Sequence, residues 1–164
     1  MNHEQLCDAW ALLENETPLF SDCGQLCARA CCVPDEDGQG GVLLFPGEDT
    51  LIGRIPWGRV VELDDRGDGE PGKLLLCDKP CDRTKRPLGC RLFPLTPAWN
   101  GREWGVGLDR RAWPVCPLMG SGIKGLSKEF VVATRSAVLK IAASEEGRAF
   151  LMAWAKIEAL FGEW

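Results

Sequence analysis

Cysteine is the residue in this chain best placed to do chemistry. Nine occur in 164 residues, and all but Cys7 fall in a few short stretches. The densest is Cys23-Gly-Gln-Leu-Cys27-Ala-Arg-Ala-Cys31-Cys32. Cys77 and Cys81 flank Asp-Lys-Pro, Cys90 opens Cys-Arg-Leu-Phe-Pro, and Cys116 stands in Val-Cys-Pro. A soft metal needs several thiolates converging from separate segments, and this grouping can deliver them. Nine is odd, so internal disulfides cannot use every thiol. The start, MNHEQLCDAWALLENE, has neither a basic n-region nor a continuous apolar run, so it does not read as a secretory signal. The expectation is a cytoplasmic chain in a reducing compartment, where structural disulfides are rare. Cys23, Cys27, Cys31, Cys32, Cys77, Cys81, Cys90 and Cys116 are therefore the candidate metal ligands. Cys7 reads as the spare, a small buried hydrophobe.

The spacing predicts how the first group would be presented. On a helix over 21–32, residues four apart share a face, so Cys23, Cys27 and Cys31 would form one stripe of sulfurs. Cys32 would be turned about 100° away, ligating from the helix end or serving a second site. Cys77, Cys81 and Cys90 sit among prolines and Gly89 and read as loop ligands. Arg29, Lys79, Arg83, Lys85, Arg86 and Arg91 are interleaved with them. Such charges lower thiol pKa and offset a multi-thiolate site, or they form a solvated basic loop. No pair is Cys-x2-Cys, the usual zinc knuckle. Iron–sulfur clusters also take four thiolates and accept more varied spacing, which favours iron–sulfur, a 4Fe-4S cluster, over zinc. Eight thiolates equally suit two four-cysteine centres.

The elements that must hold these ligands read as a small α+β domain. The expected single domain spans 1–164, with a cysteine-cluster core over 20–122 and C-terminal helices over 126–162. The first stretch is an amphipathic helix with Leu6, Trp10 and Leu13 on one face, broken by Pro18. The cysteine helix should stop near Pro34, before an acidic, turn-rich loop over 35–41. Short strands are expected over 42–45, 59–63, 73–77 and 103–108, the last preceded by the Asn100-Gly101 turn signal. Together they predict a small irregular sheet with flanking helices. The last forty residues are proline-free. Ser127 and Ser144 are N-cap residues for a helical hairpin over 127–143 and 144–161. Phe150, Leu151, Trp154, Ile157, Leu160 and Phe161 recur at helical spacing as core positions. The seven tryptophans are expected to pack the core or shield sulfur ligands.

Several functions are disfavoured. The net charge of −5 argues against a general polyanion binder, and the basic residues lack the aromatic interleaving of single-strand binders, so no nucleic acid is expected. No apolar run approaches the ~20 residues that cross a bilayer, so no membrane is expected either. Gly120-Ser-Gly-Ile-Lys-Gly125 matches a dinucleotide fingerprint in form only, because helices rather than a returning strand follow it. His3 is the only histidine and tyrosine is absent, which removes the commonest acid–base groups.

Three features in combination carry a resemblance. The run C-x3-C-x3-C-C, the later Cys-Arg-Leu-Phe-Pro, and Cys-Pro-Leu-Met-Gly-Ser-Gly after Trp113 resemble the YkgJ-type cysteine-cluster family over about 20–122. Members of that family are described as zinc- or iron-chelating. The resemblance implies Cys23, Cys27, Cys31, Cys32, Cys90 and Cys116 as ligands, with Cys77 and Cys81 matching less closely. The stretch between Cys32 and Cys77 is long for the family. The leading expectation is a cysteine-cluster protein whose partner is a metal ion or cluster: an iron–sulfur cluster, with zinc as the alternative. Its role would be structural, electron transfer or metal handling. Larger proteins with a similar cluster include lysine methylases of flagellin, so a modification enzyme or its accessory is a second reading. A zinc-stabilised adaptor for a protein partner is a third. An enzyme would need an open coordination position or a pocket beside the metal.

Overall fold

The structure is a computed structural model that describes residues 3–33, 41–66 and 68–160. The expected stop at Pro34, the acidic loop apart from Gly41, and the core roles given to Leu160 and Phe161 lie outside what is described. Helix α1 runs His3–Leu12, with Leu6 buried and Leu13 buried just beyond its end. It stops well before Pro18, closing with turns from Leu13 N to Trp10 O and Glu14 N to Ala11 O. A three-stranded antiparallel sheet follows in the order β1-β3-β2, built from β1 (Val42–Leu43), β2 (Gly58–Leu63) and β3 (Gly72–Cys77). β1 is shorter than the four residues expected: Leu44 N still donates to Lys73 O of β3 at 2.8 Å, and Leu44 and Phe45 are buried in the core.

Two short helices and one strand were not predicted. Helix α2 (Glu48–Ile52) and helix α3 (Leu88–Leu92) are each five residues long, too short for apolar periodicity to reveal them. Strand β4 (Leu95–Trp99) contains Pro97 and pairs with β5 (Trp104–Leu108). Proline is tolerated because this pair has two free edges. Asn100 and Gly101 make the turn as expected: Gly101 has φ +92°, and Asn100 Oδ1 accepts from the Arg102 and Glu103 amides, each at 2.9 Å.

The C-terminal pair fits the expectation. Helix α4 (Lys128–Ala142) is capped by Ser127 Oγ, which accepts from Phe130 N at 3.3 Å. Helix α5 (Glu145–Leu160) begins after Ser144, whose Oγ accepts from Gly147 N at 3.1 Å. Their apolar faces join α1 and the β4–β5 pair around Phe45, Leu88, Phe130, Ile141, Phe150 and Trp154. Phe45 stacks on Trp154 at 5.3 Å, and Trp154 Nε1 donates to Thr96 Oγ1 at 3.1 Å. A smaller cluster of Leu44, Ile52, Trp57 and Leu75 lies under the first sheet. No helix among the described residues is long and apolar enough to cross a membrane.

Candidate metal centre

The segment bearing four of the cysteines is not a helix. It forms two short 3-10 turns, Cys23–Gln25 and Ala30–Cys32, joined by Ala28 and Arg29 in left-handed conformations (φ +49° and +61°). Asp22 caps the first turn by accepting from Gly24 N at 3.2 Å and pairs with Arg29 at 3.7 Å. Arg29 N donates back to Gly24 O at 3.0 Å, and a Cβ on Gly24 would sit 2.8 Å from Arg29 Cγ, so the chain doubles back on itself here. The expected helical stripe is therefore replaced by a compact loop. The loop still brings Cys23, Cys27 and Cys31 to one cavity, through folding back rather than through helical period.

That cavity is small, about 20 Å³, and Cys116 completes its sulfurs. Cys116 is presented by the turn Arg110–Ala112, which Asp109 caps, and its amide donates to Ala112 O at 2.8 Å. Phe93, Pro94, Val115, Pro117 and Leu118 form the rest of the wall. Burial raises the Cys23 thiol pKa first, followed by repulsion from Asp22, Cys116 and Cys27. Burial also raises Cys116, again with Cys27 as a facing charge.

A second cavity of about 280 Å³ adjoins it, and Cys32, Cys77, Cys81 and Cys90 line it together with Cys31. Cys77 ends β3 opposite Gly58, where a Cβ would meet Leu76 O at 2.5 Å, so only glycine permits this pairing. Trp57 O accepts from the amides of Asp78 and Lys79 and turns the chain towards Cys81. Cys90 lies on α3 and not in the loop expected from its neighbouring Gly89 and prolines, because Pro87 serves as the residue before a helix start. Burial pushes the Cys77 thiol up to about 11, assisted by Cys81 and Cys32. Burial likewise raises Cys90, with Cys32, Cys77 and Cys81 as its facing charges. These four thiols thus feel one another.

Cys31 and Cys32 divide the two cavities. Their sulfurs are 4.0 Å apart. The contact raises the Cys31 pKa and lowers that of Cys32, against burial and with help from Arg86 and Arg29. Arg86 Nε donates to Cys81 Sγ at 3.4 Å. Burial works against the Arg86 charge, but Cys81, Cys32 and Cys90 outweigh it and raise its pKa. Of the interleaved basic residues, Lys79 and Arg86 line the larger cavity.

A buried network fixes the loop over 81–91. The Arg91 guanidinium donates to Arg86 O at 2.7 Å, Thr84 O at 2.9 Å and Arg83 O at 3.3 Å, and lies over the Trp10 ring at 4.4 Å. Trp10 Nε1 in turn donates to Glu48 Oε1 at 2.9 Å. Glu48 is 0% exposed and also accepts from the amides of Phe45 and Leu88. Burial pushes its carboxyl up to about 7 against the opposing pull of these donors and Arg91. Glu48 had no sequence signal, since it sits in a short helix beside a Gly-Glu-Asp turn pattern.

Other expectations are corrected. Cys7 is half-buried rather than buried, and its sulfur lies 3.5 Å from His3 Nε2. It borders none of these cavities. The tryptophans divide: Trp57, Trp104 and Trp154 are buried, whereas Trp99 and Trp113 are exposed, Trp113 by 62%. Among the described tryptophans, only Trp154 lines the larger cysteine cavity. All nine cysteines are free thiols.

Cysteine donors suit a soft metal, and five line the larger cavity and four the smaller, with Cys31 shared. Among the described residues, however, no group of three or more His, Cys, Asp or Glu side chains is arranged to hold a metal ion as it stands. Coordination would require the sulfurs to draw inward from these positions. Compared with models of known families, with curated proteins and with solved structures, the chain matches none.

Proposed function

We propose that this chain is a metal-binding cysteine-cluster protein. It holds an iron–sulfur cluster, or alternatively zinc, through Cys23, Cys27, Cys31, Cys32, Cys77, Cys81, Cys90 and Cys116. One observation carries the reading: eight of nine cysteines, drawn from separated stretches of chain, line two adjoining cavities, and Cys7 lines neither. Hydrophobic packing alone gives no reason to gather eight thiols and an arginine. Membership of the YkgJ-type family and a cytoplasmic location, where thiols stay reduced, belong to the same proposal. The bound centre would serve structure, electron transfer or metal handling. A modification enzyme or its accessory is a second reading, favoured by the 280 Å³ cavity beside Cys32, whose far wall includes Val42, Leu43 and Trp154.

Iron, sulfide and zinc analysis of anaerobically purified protein, with a visible spectrum, tests the proposal. Bound metal is expected, and it should fall to background in a folded Cys31→Ser/Cys32→Ser variant, because this pair borders both cavities. Purified protein without metal, or stoichiometric metal in that variant, would refute it.

A further inference from the structure

We infer that Cys31 and Cys32 are a reversible redox pair. A hydroperoxide closes them to a vicinal disulfide, a low-molecular-weight thiol reopens them, and closure releases metal from the cysteine site. The release rests on the metal-binding reading; the closure of the pair does not.

The local backbone makes the pair. On an extended strand adjacent side chains point to opposite faces, and on an α-helix they diverge by about 100°. The turn Ala30–Cys32 instead holds the two sulfurs 4.0 Å apart. Cys32 N donates to Arg29 O at 2.8 Å and Val33 N to Ala30 O at 3.2 Å, which fixes the bend. Ala28 and Arg29 lead into it in left-handed conformations that residues other than glycine seldom adopt. Cys31 is exposed, so a dissolved oxidant meets it directly. Core packing gives no reason for an exposed thiol set against a second one.

Adjacency decides the chemistry of the bond. Neighbouring Cα atoms stand about 3.8 Å apart across a trans peptide, below the ~4.4 Å at which the usual disulfide range begins. A disulfide between adjacent cysteines is therefore strained, and strained or exposed disulfides are the labile, regulatory kind. In the first step one thiol attacks the peroxide, the O–O bond breaks, an alcohol (water, for hydrogen peroxide) leaves, and a sulfenic acid forms. In the second the other thiol attacks that sulfur, its S–O bond breaks, the S–S bond forms and water leaves. Two thiols are oxidised and one peroxide is reduced. Two molecules of a thiol such as glutathione reverse the change by exchange and depart as their own disulfide.

Position gives closure its effect. Cys31 borders both cysteine cavities and a further one of about 50 Å³, which it shares with Cys23 and Cys90. Cys32 borders the larger. With the pair closed, the larger cavity keeps the thiols of Cys77, Cys81 and Cys90, and the smaller those of Cys23, Cys27 and Cys116. Three thiols in each fall short of the four that zinc–thiolate sites and iron–sulfur clusters take.

The experiment uses the anaerobically purified full-length chain. It is treated with one equivalent of hydrogen peroxide, blocked with iodoacetamide and digested with trypsin without reductant. Cleavage after Arg29 and Arg54 places Cys31 and Cys32, and no other cysteine, on the peptide 30–54. That peptide should be two hydrogens lighter than its reduced form and carry no alkyl group, and glutathione added before blocking should restore both thiols. Free iron or zinc should rise in step with the closed fraction. Both thiols of 30–54 still alkylated, whether or not metal is lost, would overturn the pair. So would a peptide 30–54 joined to the one bearing Cys23 and Cys27 or to the one bearing Cys90. A closed pair that glutathione does not reopen, or one that leaves all metal bound, would overturn the reversible control. Closure in a chain that carries no metal would support the pair and remove the metal-binding reading instead.

Discussion

Glu48 offers a quantitative test of how the cysteine loop is held. Its carboxylate is wholly buried and receives three donors, with Oε1 serving Trp10 and Leu88 and Oε2 serving Phe45. Burial nonetheless wins and lifts its pKa from 4.5 to about 7. A rise of that size, at ~1.4 kcal/mol per pKa unit, corresponds to about 3 kcal/mol. The sign follows from linkage. Between about pH 4.5 and 7 the folded chain binds a proton at Glu48 that the unfolded chain has released, so stability falls as pH rises through this window. Glu48→Gln removes the titration. It also leaves one acceptor oxygen for three donors, at a pH-independent cost of about 1–3 kcal/mol for the amide left unpaired. The assay is urea unfolding of both proteins at intervals from pH 4 to 8. The stability difference between them should shift by about 3 kcal/mol across the window, in the direction that favours wild type at low pH. A difference that does not change with pH would show that the three donors and Arg91 balance burial, and one that shifts the opposite way that they outweigh it; either would refute the argument.

Other outcomes follow from the same structure. Cys7→Ala should leave metal content unchanged, because its sulfur meets His3 and lies off both cysteine cavities; metal analysis of the folded variant checks this. Thr134 Oγ1 is buried with no hydrogen-bond partner among the described residues, so Thr134→Val should stabilise the chain by about 1 kcal/mol in denaturant unfolding. Trp154→Ala should cost about 3–5 kcal/mol, since it removes a buried ring stacked on Phe45 and leaves the Thr96 hydroxyl without its donor. Thermal melting of that variant would show the loss.

How much of this was legible in sequence depended on whether the deciding force was local. Ser127 and Ser144 announce α4 and α5 because a cap is a contact within three residues. The turn at Asn100-Gly101 and the strand β5 after it were legible for the same reason. The helix expected over 21–32 failed at Ala28 and Arg29, whose side chains give no warning of left-handed backbone. β4 was hidden by Pro97, and α3 by reading Pro87 and Gly89 as loop markers. The candidate ligands were legible from cysteine count and grouping. Their partition was not, since it depends on where β3, α3 and the Asp109-capped turn meet in space. Glu48 was invisible because its partners lie up to 40 positions away in sequence.

The contact between Phe45 and Trp154 has a consequence for biosynthesis. Phe45 belongs to the first third of the chain, and the rings that enclose it, Phe150 and Trp154, belong to the last helix. A ribosome therefore exposes every cysteine before it delivers the residues that seal the core and wall the larger cavity. During that interval the thiols are open to whatever metal or oxidant the surroundings offer. The chain's own order of synthesis thus leaves its thiols uncovered until the last helix has been made.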